Sequence, residues 1–217
     1  MSTAAVAPAR KSFVEAPWQL WASQVMAILR IELKKSLWMR RSIWIYLLAF
    51  APTLMFGIHA LTSPMGRNCS ITEDTRILAH VFQIFYLRVG IFFGCMGLFT
   101  WLFRGEVVEK SLHYYFLSPV RRELLIAGKF LAGLITATLV FSASVIICFT
   151  FAYGHFGPAG RAYVFNGPGL SQLLSYLLVT VLACLGFGSI FLALSLVFKN
   201  PILPGIAVLL WETFHAV

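Results

Sequence analysis

Five apolar stretches alternate with short polar segments along the chain, and an amphipathic segment precedes the first of them. From Trp18 to Arg41 the pattern is helical. Trp18, Ala22, Val25, Leu29, Leu33 and Leu37 fall on one side, while Ser23, Arg30, Lys34 and Arg41 fall on another. This predicts a helix over 18–41 lying in the membrane interface, with Trp18, Trp21 and Trp38 at the headgroup level. Glu32 interrupts the apolar side, and its natural partners are Lys35 or a neighbouring span. The apolar runs then predict spans at about 42–61, 79–103, 129–153, 170–198 and 201–217. Pro52 lies inside the first and should kink it. Polar residues at 62–78 and a Gly/Pro-rich stretch at 154–169 read as loops, and Lys199-Asn200-Pro201 reads as a tight turn. Residues 1–17, rich in Ala, Pro and Ser, read as a disordered tail.

Composition turns these runs into membrane spans. Hydrophobic residues make up 59% of the chain and charged residues 12%, with a mean hydropathy of +0.84. Soluble domains carry about a quarter charged residues, so this chain cannot cover a water-facing surface. The expected fold is all-α: a polytopic helix bundle forming a single transmembrane domain over 18–217. Glycines at 90, 94 and 97, and at 186 and 188, would let other helices approach closely. Cys95, Cys148 and Cys184 sit within apolar runs and only Cys69 in a loop, which excludes a disulfide framework.

Charge sets an orientation. The segment before the first span holds Arg10, Lys11, Arg30, Lys34, Lys35, Arg40 and Arg41. The 104–129 segment adds Arg104, Lys110, Arg121, Arg122 and Lys129, and Lys199 falls on the same side. The other side holds only Arg67, Arg76 and Arg161. By the positive-inside rule the amino terminus is cytoplasmic. The net charge of +9 thus belongs to loops beside a lipid bilayer, and no nucleic-acid partner is expected.

The densest charge between apolar runs lies in Arg104–Lys129, RGEVVEKSLHYYFLSPVRRELLIAGK. Val108, Leu112, Tyr115 and Phe116 recur within it at helical spacing. Pro119 then stops the helix, because the residue before a proline is pushed out of the α region. On spacing alone this is a short amphipathic helix, a break and a re-entry into lipid, or equally an ordinary loop.

The order of residues here resembles the signature of type-2 ABC transporter permeases. Glu106 and Glu109 stand for the acidic residue after the second span, and Ser111 stands in a threonine place. Leu112, Phe116 and Leu117 match a leucine-rich helix, and Pro119-Val120, Arg122 and Gly128-Lys129 follow in order. Lys110 departs from the family's usual glycine. The resemblance implies that this stretch is a cytoplasmic coupling helix docking on a separate ATP-binding subunit. Glu106, Glu109, Ser111, Leu112, Tyr115, Phe116, Pro119 and Arg122 would carry the contact. It also implies a second permease subunit, a site in the cell (inner or plasma) membrane, export as the direction of transport, and a sixth span, which would place Val217 before the family's end.

No nucleotide-binding motif is present, since Gly128-Lys129 lacks the upstream glycine and the following Ser/Thr of a phosphate-binding loop. ATP and Mg would therefore belong to the partner subunit, and no cofactor, metal ligand or catalytic residue is assigned to this chain. Within the apolar runs, Arg88 and Glu212 are ionisable. Arg88, near the outer end of its expected span, reads as a snorkelling side chain or an interior contact. Glu212 lies deeper and reads as a functional or inter-helix polar contact. Two other classes stay open. His59, His80 and His155 near the outer ends of spans would suit a haem- or metal-binding electron-transfer subunit. A non-transport membrane assembly protein is the other.

Overall fold

The computed structural model describes residues 17–38, 42–62, 70–108, 121–198 and 202–215. Among them are seven helices and no strand. They are α1 (Pro17–Trp38), α2 (Ile43–Thr62), α3, α4 (Arg122–Gly154), α5 (Pro158–Asn166), α6 (Gly169–Val197) and α7 (Ile202–His215). Helix α3 runs unbroken through Ile71–Val81, a π-helical stretch Phe82–Ile91 and Phe92–Val108. Four helices are long and apolar enough to cross a bilayer: Ile43–Thr62, Ile71–Leu102, Arg122–Gly154 and Gly169–Val197. The protein is an all-α, multi-pass membrane protein.

Element boundaries differ from the sequence expectation at several places, and α4 starts at Arg122, seven residues before the expected 129. The second span starts at Ile71, inside the stretch read as a loop. Ser70 caps it, accepting from the Glu73 amide at 3.2 Å, and Glu73 and Asp74 complement the positive end of the helix dipole. The polar residues at 70–76 are thus a helix start. The expected loop at 154–169 contains α5, opened by Gly157 at φ 60° and Pro158. The expected fifth span at 201–217 holds α7. Its described 14 residues reach about 21 Å, short of the ~30 Å hydrocarbon core.

Contacts order the spans. Along α2 and α4, Gly57 lies against Phe151 and His59 near His155, so residue numbers rise together. Along α3 and α4 they run oppositely: Thr75 bonds Tyr153, Tyr86 bonds Ser144, and Lys129 bonds the Leu102 carbonyl. Helices α3 and α6 rise together, from Phe82 stacked on Tyr176 to Arg104 bonded to the Phe198 carbonyl. The four spans therefore alternate in direction. Helix α4 is the centre, packed on α1, α2, α3 and α6. The termini of α3 and α4 that flank residues 109–120 lie at the same end as α1, and α5 lies at the other.

Close packing rests on small residues, as TM helices require without a water-driven force between them. The Phe141 ring occupies the place of a side chain at Gly94, where a Cβ would lie 2.5 Å from it. Phe99 sits between Gly133 of α4 and Gly188 of α6, 2.8 and 2.7 Å from their ideal Cβ positions. Gly97 and Gly186 have nothing within 4 Å of theirs, so not every glycine in the runs marks an interface.

At mid-depth Pro52 loosens the backbone ladder of α2. The Ser144 hydroxyl donates to the Ala49 carbonyl there at 2.6 Å. Tyr86 and Thr53 then donate to the Ser144 oxygen, at 2.7 and 3.0 Å. Three helices thus share one buried polar node, which satisfies groups that lipid could not.

Candidate functional site

The site forms where α1 meets the start of α4. The α1 residues that pack inward are Val25, Ile28 and Glu32, with Ile28 and Glu32 buried. Of the stripe expected from spacing, Val25, Leu29, Leu33 and Leu37 are half-buried, but the two fully buried positions, Ile28 and Glu32, fall one residue before Leu29 and Leu33. Trp18 and Ala22 are exposed, and so are Leu20, Met26, Ile31 and Trp38. The register shift has a physical cause. Ile28 fits against Gly128, whose missing side chain leaves room, and that contact brings Glu32 over Lys129. Arg121, just before α4, lies 4.7 Å over the Trp21 ring.

Lys129 is fully buried, and its Nζ donates to Glu32 Oε1 at 2.8 Å and to the Leu102 carbonyl at 3.3 Å. Glu32 also lies 3.8 Å from the half-exposed Lys35. A buried ammonium needs such a partner, since an unpaired charge in a dry interior is very costly. The expected partners of Glu32 are thus both present: Lys35, and a neighbouring span through Lys129. Lys129 itself is not the loop cation that charge counting assumed.

Beside this node a cavity of 530 Å³ opens between α1, α2 and α3. Trp44, Leu48, Phe93, Leu98 and Trp101 supply apolar wall, and Glu32 and Lys35 supply charge. Such a lining suits an amphipathic occupant, with its apolar body against the aromatic and aliphatic wall and a polar group near the carboxylate.

Of the residues carried by the family resemblance, Arg122 is the first residue of α4 and is exposed. Glu106 lies in the last turn of α3, and its side chain is not described. Glu109, Ser111, Leu112, Tyr115, Phe116 and Pro119 lie outside the described residues. Arg104 bonds the Phe198 carbonyl at 3.1 Å, holding the end of α6. Arg88 is half-buried on the π-helical stretch, near the middle of α3. Its expected place near a span end rested on a start at 79, and the earlier helix start moves it inward. Glu212 lies in α7, and its side chain is not described.

At the far end of the bundle His59 and His155 come together, their rings 5.5 Å apart, and both face Asp74. His80 is elsewhere, its Nδ1 bonded to the Arg76 carbonyl of its own helix. Sequence reading grouped the three histidines by their nearness to span ends and did not single out Asp74. Only the early start of α3 brings that carboxylate into the bundle.

Comparison with known protein families, curated proteins and solved structures finds no match to this chain.

Proposed function

We propose that this chain is the membrane-spanning permease subunit of an ATP-driven transporter of the type-2 ABC class. It works beside a second permease subunit, and separate ATP-binding subunits supply ATP and Mg. In this reading the chain is not itself an enzyme, in keeping with the lack of a nucleotide-binding motif. The amino terminus is cytoplasmic and the membrane is the cell (inner or plasma) membrane. The basic residues gathered at the α1 end support that orientation.

One observation carries the reading. Leu102 near the end of α3 and Lys129 near the start of α4 stand on either side of the charged segment that resembles a coupling helix, and these two residues are tied to each other and to Glu32. A force applied to 104–121 is therefore delivered to a node shared by α1, α3 and α4. An ordinary loop needs no such anchorage at both ends. The cavity beside the node gives the reading a place for an amphipathic cargo moved outward.

The test is purification of the tagged full-length chain from its native membranes in mild detergent, followed by mass spectrometry and an ATP-hydrolysis assay. The expected result is a stoichiometric companion bearing a phosphate-binding loop, with ATPase activity. Recovery of the intact chain at normal levels with no ATPase contradicts the proposal.

A further inference from the structure

Asp74, His59 and His155 come from three different helices. Asp74 lies in the first turn of α3, His59 in the last turn of α2 and His155 just past the end of α4. One ligand atom from each lies within 4.8 Å of the other two. Asp74 Oδ2 is 3.4 Å from His155 Nε2 and 3.6 Å from His59 Nε2. The side chains of Asp74 and His155 are each 3% exposed, whereas that of His59 is 36% exposed.

The hydrogen bonding leaves this cluster incomplete. His155 Nδ1 lies 3.2 Å from the Phe151 carbonyl, which can only accept, so Nδ1 carries the proton. In the neutral ring Nε2 then presents a lone pair, with a carboxylate oxygen 3.4 Å away. Both atoms, Asp74 Oδ2 and His155 Nε2, are buried without a hydrogen-bond partner. Two facing acceptors of this kind are satisfied by a cation between them.

We propose that Asp74, His59 and His155 form a binding site for a divalent transition-metal ion of the zinc class. Ligands 2.0–2.1 Å from a tetrahedral ion lie about 3.3–3.5 Å apart. The separations to Asp74, 3.4 and 3.6 Å, lie at and just beyond that edge, and the ligand atoms of the two histidines are within 4.8 Å of each other. Two imidazoles and one carboxylate are a borderline donor set, suited to zinc and its neighbours. Calcium and magnesium prefer all-oxygen shells. The Phe151 carbonyl plays the outer-shell role usual for a metal-bound histidine, fixing its tautomer and ring direction. The exposed side of His59 leaves the fourth position to water. A haem iron is disfavoured by the same geometry, because the Asp74 oxygen occupies the gap a macrocycle would need. A bound ion would staple the ends of α2, α3 and α4 at the end of the bundle opposite the Glu32–Lys129 pair. The site stands whether or not the chain belongs to a transporter.

The experiment uses the full-length protein purified in detergent and stripped of metal with chelator. Zinc is titrated calorimetrically, and cobalt(II) is added separately to read its visible absorption. The expected result is one zinc per chain, a tetrahedral cobalt spectrum and a higher melting temperature with zinc. His155→Gln and Asp74→Asn should weaken zinc by at least roughly 10-fold, the lower end of the loss seen even for outer-shell partners. His59→Gln, at a partly exposed helix end, should weaken it too while eluting as wild type, which separates ligand loss from misfolding. His80→Gln should bind as wild type does. The proposal is overturned if the wild type takes up no zinc, or if His59→Gln and Asp74→Asn bind it with unchanged stoichiometry and affinity.

Discussion

Lys129 and Glu32, 97 positions apart in the chain, meet at 2.8 Å in the buried neck between α1 and α4. Removing one partner strands the other. Lys129→Met should cost about 3–5 kcal/mol, because the half-exposed Lys35, 3.8 Å from Glu32, replaces only part of the buried pairing. Glu32→Met added to it removes both charges and should recover most of the loss. Thermal unfolding in detergent reads the two effects, and a double variant no more stable than Lys129→Met contradicts the pairing.

The amphipathic period showed α1, and Glu32 stood out because it broke that period. Its partner did not stand out. A lysine at the edge of a span looks the same whether it lies in a headgroup region or in a buried pair, since only the tertiary contact with α1 distinguishes them. Asp74 was hidden for a similar reason. The run Ser70-Ile71-Thr72-Glu73-Asp74 is polar enough to resemble a loop, yet Ser70 and Glu73 stand at capping distance. Hydropathy marked the four spans well because burial in lipid selects composition directly. It was silent on Ser144, whose role depends on the tertiary contact that brings its hydroxyl to the Ala49 carbonyl.

The glycines make a second prediction. A Cβ at Gly188 would press on Phe99, so Gly188→Ala should destabilise the bundle by about 1–3 kcal/mol. Phe99→Leu in that background should recover part of the loss. Gly186→Ala meets open space and should be neutral or slightly stabilising, since alanine favours helix. Equal melting shifts for the two alanine variants would count against the packing described.

Orientation is testable from outside the cell. In a cysteine-free background, single cysteines at Ser63 and Ser111 report on opposite ends of the spans. The alternation of the spans and the basic bias predict that a membrane-impermeant thiol reagent labels Ser63→Cys in intact cells and spares Ser111→Cys. Labelling of Ser111→Cys alone would invert the topology and remove the docking surface from any cytoplasmic ATPase.

The claim that residues 104–121 couple the spans to an ATPase is tested most directly by truncating its aromatic anchors. Exposed aromatic side chains within a charged rim are typical interface anchors, each worth about 1–3 kcal/mol on truncation. The measurement is co-purification of the ATP-binding subunit with the wild type and with the Tyr115→Ala/Phe116→Ala variant, at matched membrane levels of this chain. The predicted result is normal insertion of the variant with loss of most of the ATPase. Full retention of the ATPase by a normally inserted variant would contradict the coupling role. A failure to insert would also contradict it, by showing that the two rings pack against the protein's own helices.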